Sequence, residues 1–350
     1  MRLGFALTRH CNLRCPHCIR DDVTSPEWLS TAFVESVLDQ ASELFGAVHV
    51  TLTGGEPLIH PEFHRVVRGL GARRIPYSFV TNAWNVRRRM RELDAHPPEW
   101  VRLSLSGATE ATHDAVRGKG SFRRVLMAAG LLRSRGVRVW LTMMVDGRNR
   151  HQLREAADLA EALGVVGVQF TPCQPVPGSV DLPLEEWWNV RAEIEALARE
   201  RRRRARVAVD YGFPPGGLGG EEALCQTFAL QRIYVDSRGR VCTCCQLSDY
   251  GGNENEVVAD LHRVPLAEAY EAYLERLEEL RCASRPTGAE PFDAFPCMRC
   301  VRASGKAEWL ALHPESPWHP LPSLPGPRTP ASRSSLVSIR TSRHATETSG

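Results

Sequence analysis

The first half of the chain alternates short apolar runs with segments of helical periodicity, and this alternation most constrains the fold. The runs are rich in Val, Leu and Thr, which is typical of parallel strands buried on both faces. A complete eight-unit barrel needs about 250 residues, so six units in about 200 residues predict an α/β fold with an incomplete (β/α)6 barrel. The predicted strands are Leu3–Leu7, Val48–Thr53, Tyr77–Thr81, Val101–Leu105, Val137–Val145 and Val166–Thr171.

Three segments carry clear helical signals. One helix opens at Ser121 and stops at Gly136, and another begins near Asn149 and stops at Gly164. A third predicted helix, Glu185–Arg206, contains four consecutive arginines near its end. We interpret these arginines as a solvated helix end, which the helix dipole favours. A basic patch for an acidic partner is the alternative.

Directly after the first predicted strand, three cysteines are spaced as Cys11-x3-Cys15-x2-Cys18. Three thiolates on one loop can hold three irons of a [4Fe–4S] cluster and leave the fourth iron open for chemistry. A zinc site that includes His10 or His17 is an alternative, although the three-residue gap fits zinc spacing poorly. Incidental core cysteines are a further alternative. A disulfide scaffold is disfavoured, because 11 cysteines in 350 residues is a low density and no signal peptide precedes them.

The second predicted strand ends in Gly54-Gly55-Glu56-Pro57. Glycines at a strand end allow close backbone approach to a ligand, and a carboxylate there can accept hydrogen bonds from an ammonium group. A plain Gly-Gly turn is the alternative for this motif alone. Together with the cysteine triplet, the motif resembles the radical S-adenosylmethionine (radical SAM) superfamily over about residues 1–180. The resemblance implies a partial TIM-like barrel, in which SAM chelates the open iron and the Gly-Gly-Glu-Pro segment binds its amino group.

Two further strand ends carry the same resemblance. Asn82 stands in Thr-Asn-Ala, where relatives read Thr-Asn-Gly with a glycine in place of Ala83. The resemblance makes Asn82 a SAM-binding residue and Ser104 a candidate to bind the SAM ribose. A strand-end hydroxyl that caps a neighbour is the alternative for Ser104. Ser106 stands where relatives often carry Asp, and the family-like pairs that follow are His113-Asp114 and Arg117-Gly118.

The Pro- and Gly-rich stretch Tyr211–Gly220 marks a predicted domain boundary. Beyond it, a predicted hairpin pairs Arg232–Asp236 with Arg240–Cys242, and a helix covers Leu266–Leu280. This layout and its cysteine spacing resemble the SPASM/twitch extension of radical SAM enzymes, which binds auxiliary [4Fe–4S] clusters. No cysteine follows Cys300, so the shorter twitch form with one auxiliary cluster is the closer match. The ligands implied by the resemblance are Cys225, Cys244, Cys297 and Cys300.

The second cysteine set leaves alternatives open. A zinc ribbon would use two Cys-x2-Cys pairs instead, Cys242 with Cys245 and Cys297 with Cys300. Which of Cys242, Cys244 and Cys245 ligates the auxiliary cluster is therefore undecided by spacing. Cys173 and Cys282 are predicted to be plain buried thiols.

Composition indicates how the chain is divided into domains and in which cellular compartment it works. The predicted parts are a radical SAM partial barrel at 1–210, a small α+β auxiliary-cluster domain at 221–312 and a disordered tail at 314–350, which is rich in Pro, Ser, Thr and Arg. A net charge of +3 is too mild to imply a nucleic-acid partner. No run approaches the roughly 20 apolar residues of a membrane span. Reduced thiols and the lack of an export signal predict a cytoplasmic protein.

The resemblance implies an enzyme with two [4Fe–4S] clusters and SAM. SAM would be cleaved to a 5′-deoxyadenosyl radical that takes a hydrogen atom from the substrate, with flavodoxin or ferredoxin as the electron donor. An auxiliary cluster could accept the substrate's second electron, which predicts an oxidoreductase. No general base can be assigned. Cys245 stands where sulfatase-maturing relatives carry an Asp, which argues against that activity.

Three functions follow as hypotheses. The main one is a small-molecule radical SAM dehydrogenase, such as those acting on aminocyclitols. The alternative is a maturase that cross-links, epimerises or oxidises a ribosomally made peptide. Such maturases often carry an N-terminal peptide-binding domain, and the first predicted strand at Leu3 leaves no room for one. The third is a non-enzymatic iron–sulfur or zinc protein, against which the Gly-Gly-Glu motif counts because an electron carrier needs no SAM pocket.

Overall fold

The computed structural model describes residues 1–20, 23–24, 26–176, 178–214, 225–251, 253–286 and 291–307. The predicted tail at 314–350 and most of the predicted boundary at Tyr211–Gly220 lie outside these residues. In the described part, no helix is long and apolar enough to cross a membrane.

Seven parallel strands, neighbours in chain order, form the main part of the sheet. Six of them match the predicted strands to within one residue at either end, and the predicted α/β class with a partial barrel is confirmed. The strands are β1 (Arg2–Thr8), β2 (His49–Gly54), β3 (Tyr77–Thr81), β4 (Trp100–Leu105), β5 (Arg138–Val145), β6 (Gly167–Pro172) and β7 (Arg206–Val209).

The predicted helix Glu185–Arg206 was too long, because its last residue begins strand β7. The helix ends at Ala198, and the arginine run connects it to β7 instead of forming its last turn. Glu161 accepts hydrogen bonds from the backbone N–H groups of residues 204 and 205 at 2.8 and 2.6 Å. The N–H of Arg206 then donates to Val166 at 2.9 Å. Pairing with the exposed edge of β6 therefore overrides the helical propensity of the arginines.

Three more strands extend the sheet beyond β1. They are β8 (Arg232–Val235), β9 (Arg240–Cys242) and β10 (Val257–Asp260). β8 pairs parallel to β1, and β9 is antiparallel to both β8 and β10, which confirms the predicted hairpin. The sheet order is β10-β9-β8-β1-β2-β3-β4-β5-β6-β7. One sheet thus runs across the predicted domain boundary, and the division into domains stays a prediction.

Helices pack over the outer face of the sheet. Capping explains several of their ends: Ser30 accepts a hydrogen bond from Phe33 N–H at the first helix, and Thr109 does the same for Thr112 at the fourth. The helices are α1 (Thr31–Phe45), α2 (Phe63–Ala72), α3 (Met90–Ala95), α4 (Glu110–Arg117), α5 (Ser121–Arg133), α6 (Leu153–Ala162), α7 (Glu186–Ala198), α8 (Leu266–Ala283) and α9 (Pro296–Ala303). The helices predicted from Ser121, Asn149 and Leu266 correspond to α5, α6 and α8.

Alternation along β1 separates two environments. Leu3, Phe5 and Leu7 belong to the main core beneath the helices. Ala6 points to the opposite face, where it joins Tyr234 and Cys242 in a second, smaller apolar cluster. The carboxyl ends of neighbouring parallel strands meet at one edge of the sheet, so the loops after β1, β2, β3 and β4 lie together there.

Candidate functional site

The first site is the cysteine loop that follows β1. The N–H of Cys11 donates to Val23 at 2.9 Å, and the N–H of Cys18 donates to Cys15 at 3.0 Å, which folds the loop into a turn. All three thiols are partly exposed. Burial raises the pKa of Cys11 to about 12, and the charges of Glu56 and of the other two thiols act in the same direction. The thiols and Glu56 lie close enough to disfavour one another's negative charge. Bound iron would favour the thiolate form, so this group of thiols suits a cationic metal centre.

The two glycines after β2 hold this loop. Gly55 N–H donates to the Thr8 carbonyl at 2.7 Å, and Glu56 N–H donates to the His10 carbonyl at 3.0 Å. A Cβ atom on Gly54 would lie 2.2 Å from the Thr8 oxygen, and one on Gly55 would lie 2.1 Å from the His10 oxygen. The glycines are therefore required by the close approach of the cysteine loop itself. The close approach predicted for a ligand is thus made by the neighbouring loop of the chain.

Glu56 ties the end of β2 to the end of β3. Its buried carboxylate accepts hydrogen bonds from Thr81 Oγ1 at 2.8 Å, Asn82 N–H at 2.8 Å and Leu58 N–H at 3.1 Å. Burial raises its pKa to about 7, and the three hydrogen bonds oppose that rise. Pro57 follows as the first residue of a short 3-10 turn. The carboxylate thus fixes the geometry of the strand ends that surround the cysteine loop.

Asn82 lies against the cysteine loop. Its side-chain amide donates to Asn12 Oδ1 at 2.9 Å and lies 3.8 Å from Cys11 Sγ, while its oxygen accepts from Trp84 N–H at 3.0 Å. Ala83, which replaces the glycine of relatives, has a φ of 72°. The backbone therefore keeps the left-handed conformation that glycine favours, at the steric cost of a Cβ atom.

The end of β4 contributes two serines and an arginine. Ser104 is half-buried, and among the described residues its hydroxyl caps no neighbour. Ser106 Oγ accepts from Arg117 Nε at 2.7 Å, where a more usual Asp would form an ion pair. Burial raises the pKa of both Cys15 and Glu56, and the positive charge of Arg117 opposes that rise. Arg117 is the residue whose role the sequence analysis missed, although it was quoted in the family-like Arg-Gly pair.

The second site is a partly open cavity of about 200 Å³ between β7, the turn after β9 and α9. Burial raises the pKa of Cys300 to about 12 and also raises that of Cys297. Four thiols can hold either a zinc ion at about 2.3 Å or a [4Fe–4S] cluster, and a space of this size has room for the larger group. The cysteines that line the cavity are the four implied by the resemblance, Cys225, Cys244, Cys297 and Cys300.

One of the competing cysteines lies elsewhere: Cys242 is fully buried in the apolar cluster with Ala6 and Tyr234. Cys245 packs against that cluster, and its thiol shares a hydrogen bond with that of the cavity-lining Cys244. The predicted zinc-ribbon set is therefore split, because Cys242 lies apart from the cavity. Cys173 is buried as predicted, but the prediction for Cys282 was wrong, because its position on α8 leaves it exposed. Among the described residues, no group of three or more His, Cys, Asp or Glu side chains is arranged to hold a single metal ion.

Comparisons with known proteins show the family to which the chain belongs. The Radical SAM superfamily model matches residues 5–160. The PqqA peptide cyclase of Gluconobacter oxydans is 30% identical over 252 residues, which cover 70% of each chain. The mycofactocin maturase MftC of Mycobacterium tuberculosis is 32% identical over 183 residues, covering 51% of this chain and 46% of that protein. The chain belongs to the radical SAM superfamily.

Solved structures show the same fold at low sequence identity. Native anSMEcpe with bound AdoMet has a TM-score of 0.65 and 16% identity, covering 89% of this chain and 96% of that one. Streptococcus suis SuiB bound to the precursor peptide SuiA has a TM-score of 0.63 and 14% identity, covering 77% and 64%. The chain spans about half the length of the mycofactocin maturases that it matches.

Proposed function

We propose that this chain is a radical SAM maturase that modifies a ribosomally made peptide. The observation that carries the proposal is the 30% identity to a PqqA peptide cyclase over 70% of both chains. Mycofactocin maturases and the subtilosin biosynthesis protein AlbA of Bacillus subtilis match as well. These relatives favour the peptide alternative over the small-molecule dehydrogenase that the sequence first suggested, and no observation singles out a small-molecule substrate.

Cys11, Cys15 and Cys18 would hold the catalytic [4Fe–4S] cluster, and Gly54–Pro57, Asn82 and Ser104 would bind SAM. The chemistry supplied when both are bound is reductive cleavage of SAM to a 5′-deoxyadenosyl radical, which removes a hydrogen atom from the substrate. The residues of the chain would orient the bound SAM and shield the radical from water. The Asn82 amide would donate toward the Cys11 sulfur, and hydrogen bonds to sulfur tune a cluster's potential.

Arg117 would take the carboxylate of SAM. Its guanidinium donates to Ser106 at 2.7 Å, and its charge opposes the rise in pKa that burial imposes on the Cys15 thiol and the Glu56 carboxyl. Because a serine replaces the usual Asp, the positive charge stays available for a carboxylate ligand.

Cys225, Cys244, Cys297 and Cys300 would hold one auxiliary [4Fe–4S] cluster. Four thiolates leave no open iron, so the auxiliary site suits electron transfer better than substrate binding. An electron accepted there would make the net reaction an oxidation of the peptide, and the chain an oxidoreductase.

Anaerobic reconstitution tests the proposal. We expect iron and sulfide for two [4Fe–4S] clusters, and 5′-deoxyadenosine when a reductant and SAM are added. A short peptide encoded beside this gene should raise the yield of 5′-deoxyadenosine. The mass of that peptide should change in the reaction. Iron for one cluster together with zinc would contradict the auxiliary assignment. Oxidation of an aminocyclitol with no effect on any peptide would favour the small-molecule dehydrogenase hypothesis over the peptide maturase.

A further inference from the structure

Two arginines lie on the inner face of the sheet, opposite the helices. On β4, the residues on either side of Arg102 belong to the main core, so alternation places Arg102 on the inner face. On β8, Ile233 belongs to the main core and Tyr234 to the smaller apolar cluster, which places Arg232 on the inner face as well. A Cβ atom on Gly4 of β1 would lie 3.3 Å from the Arg232 Nε, so this side chain reaches across β1. Both cations therefore point into the partial barrel.

Neither arginine has a carboxylate partner among the described residues. Arg102 and Arg232 form no ion pair and no side-chain hydrogen bond there, and the Arg102 Nε is buried without a hydrogen-bond partner. The Arg102 guanidinium lies over the Trp100 ring at 5.1 Å. By contrast, the neighbouring Arg20 meets the carboxylate of Asp249 at 3.3 Å. In the described part of the chain, the two inner arginines are thus cations without a counter-ion.

Asp210 is the carboxylate whose charge acts on Arg102, and its oxygens are already engaged. Oδ2 accepts a hydrogen bond from Gln169 Nε2 at 2.8 Å, and Oδ1 accepts one from a backbone N–H at 2.9 Å. Burial lowers the pKa of Arg102. The charge of Asp210 opposes this effect, and the charges of Arg232 and Arg2 add to it. A buried charge without a partner is costly, so this part of the inner face favours a bound anion.

The arginines lie beside the residues proposed to bind SAM. Ser104 is on the same face of β4 as Arg102, two residues and about 7 Å further along the strand. Thr142 lies opposite Ser104 on β5, and its hydroxyl is also buried without a hydrogen-bond partner. These three residues are partly exposed, whereas the residues between them on the other face of the sheet are fully buried. The inner face is therefore open to a ligand at this point.

We propose that Arg102, supported by the charge of Arg232, binds a carboxylate of the peptide substrate. The inference rests on the proposed function, which makes the substrate a peptide. A guanidinium matches a carboxylate with two parallel hydrogen bonds, and it would anchor the peptide about one rung of the sheet away from Ser104. The carboxylate is that of an Asp or Glu side chain or of the peptide's C-terminus. A peptide without an acidic group would leave both cations unpaired.

The test is a double-mutant cycle with the reconstituted protein and the peptide encoded beside this gene. Arg102→Gln is combined with peptides in which one Asp, one Glu or the C-terminus at a time is converted to its amide. We expect Arg102→Gln to raise the Kd and KM for the unaltered peptide at least about 10-fold, because a charge-assisted pair is lost. Arg138→Gln on β5 is the control and should keep the wild-type values, since its exposed guanidinium already pairs with Glu99.

One amidated peptide should bind the wild-type protein as weakly as the unaltered peptide binds Arg102→Gln, and combining the two changes should cost nothing more. That peptide identifies which carboxylate is bound. Losses that add for every peptide, or an unchanged KM, would overturn the carboxylate site. So would slower turnover with unchanged affinity for all the peptides, because the arginine would then serve the auxiliary cluster.

The conservative variant separates recognition from folding. Arg102→Lys keeps the charge and should recover part of the peptide affinity. If Arg102→Gln incorporates less iron than wild type, Arg102→Lys takes its place in the cycle. Its smaller loss of affinity should disappear with the same amidated peptide, and a loss that persists with every peptide would overturn the site. If the wild-type protein modifies no peptide encoded near its gene, the proposed function is contradicted instead.

Discussion

The chain builds its two thiol sites in opposite ways. The first places three cysteines on one loop, Cys11–Cys18, directly after a strand, and backbone contacts from the end of β2 hold that loop in place. The second takes four cysteines from Cys225 to Cys300 and brings them around a cavity of about 200 Å³. The local site has one thiol fewer than a cluster has irons. The assembled site has enough thiols to close a cluster, so under the proposed function reactivity and electron storage would fall to different parts of the fold.

Cys15→Ala breaks the first site and has the largest expected effect. With two thiolates left, the loop should lose its cluster, so iron falls by about four per chain. Formation of 5′-deoxyadenosine should fall more than about 100-fold, since even mutation of residues that only support metal ligands costs up to that much. Cys282→Ala, at an exposed cysteine, is the matched control and should change neither quantity. Wild-type SAM cleavage by Cys15→Ala would show that the loop is not the radical-generating site.

Gly55→Ala breaks the same site without removing a thiol. The new Cβ would meet the His10 oxygen at 2.1 Å and the Arg9 oxygen at 2.5 Å, so the cysteine loop must move. A displacement of about 1 Å can cost about 100-fold in rate, and we expect a loss of that order in 5′-deoxyadenosine formation. Gly130→Ala on α5 is the control, because nothing lies within 4 Å of its Cβ and alanine favours helix. Equal activity of the two variants would show that a glycine at position 55 is not needed to hold the loop.

The same contrast explains what could be predicted from sequence. The six strands follow from apolar runs, and the first site follows from residues close together in the chain, such as Cys15 and Glu56. Strand β7 was missed because pairing with β6, a tertiary contact, decides its structure against the propensity of its arginines. The choice of Cys244 over Cys242 also depends on the fold. Strand β9 ends at Cys242, which stays in the cluster around Tyr234, and the turn that follows carries Cys244 to the cavity.

Cys244→Ala and Cys242→Ala sharpen the comparison at the second site. Removing Cys244 should cost the auxiliary cluster, about four irons per chain, while SAM cleavage at the first site continues. Peptide oxidation should stop, because the second electron has no acceptor. Cys242→Ala should keep both clusters and lose only the packing of one buried sulfur. Iron and sulfide analysis with 5′-deoxyadenosine assays distinguishes the two, and the reverse pattern would move the ligand to Cys242.

Lys306→Met probes how the assembled site is held, and among these variants we expect it to change cluster content and SAM cleavage least. The fully buried ammonium contacts Glu256 at 2.7 Å and donates to the Tyr250 and Asn253 carbonyls at 2.6 Å each. Without it an uncompensated buried carboxylate remains, which costs about 3–5 kcal/mol. Native-state hydrogen exchange around β10 and α9 in the reconstituted protein measures this loss. The exposed Arg263→Met is the control and should change little, because its pair with Asp260 is solvated.

The pH dependence of Lys306→Met gives a second readout. Burial raises the pKa of Glu256, and its hydrogen bond with Lys306 opposes the rise, so removing Lys306 should raise this pKa further. The folded variant then binds a proton that the unfolded chain releases near its ordinary pKa. Its stability deficit relative to wild type should therefore grow as pH rises above about 4.5 and shrink below it. A deficit independent of pH would mean that Lys306 acts through its carbonyl contacts alone. The assembled site would then be held by backbone contacts, as the cysteine loop is.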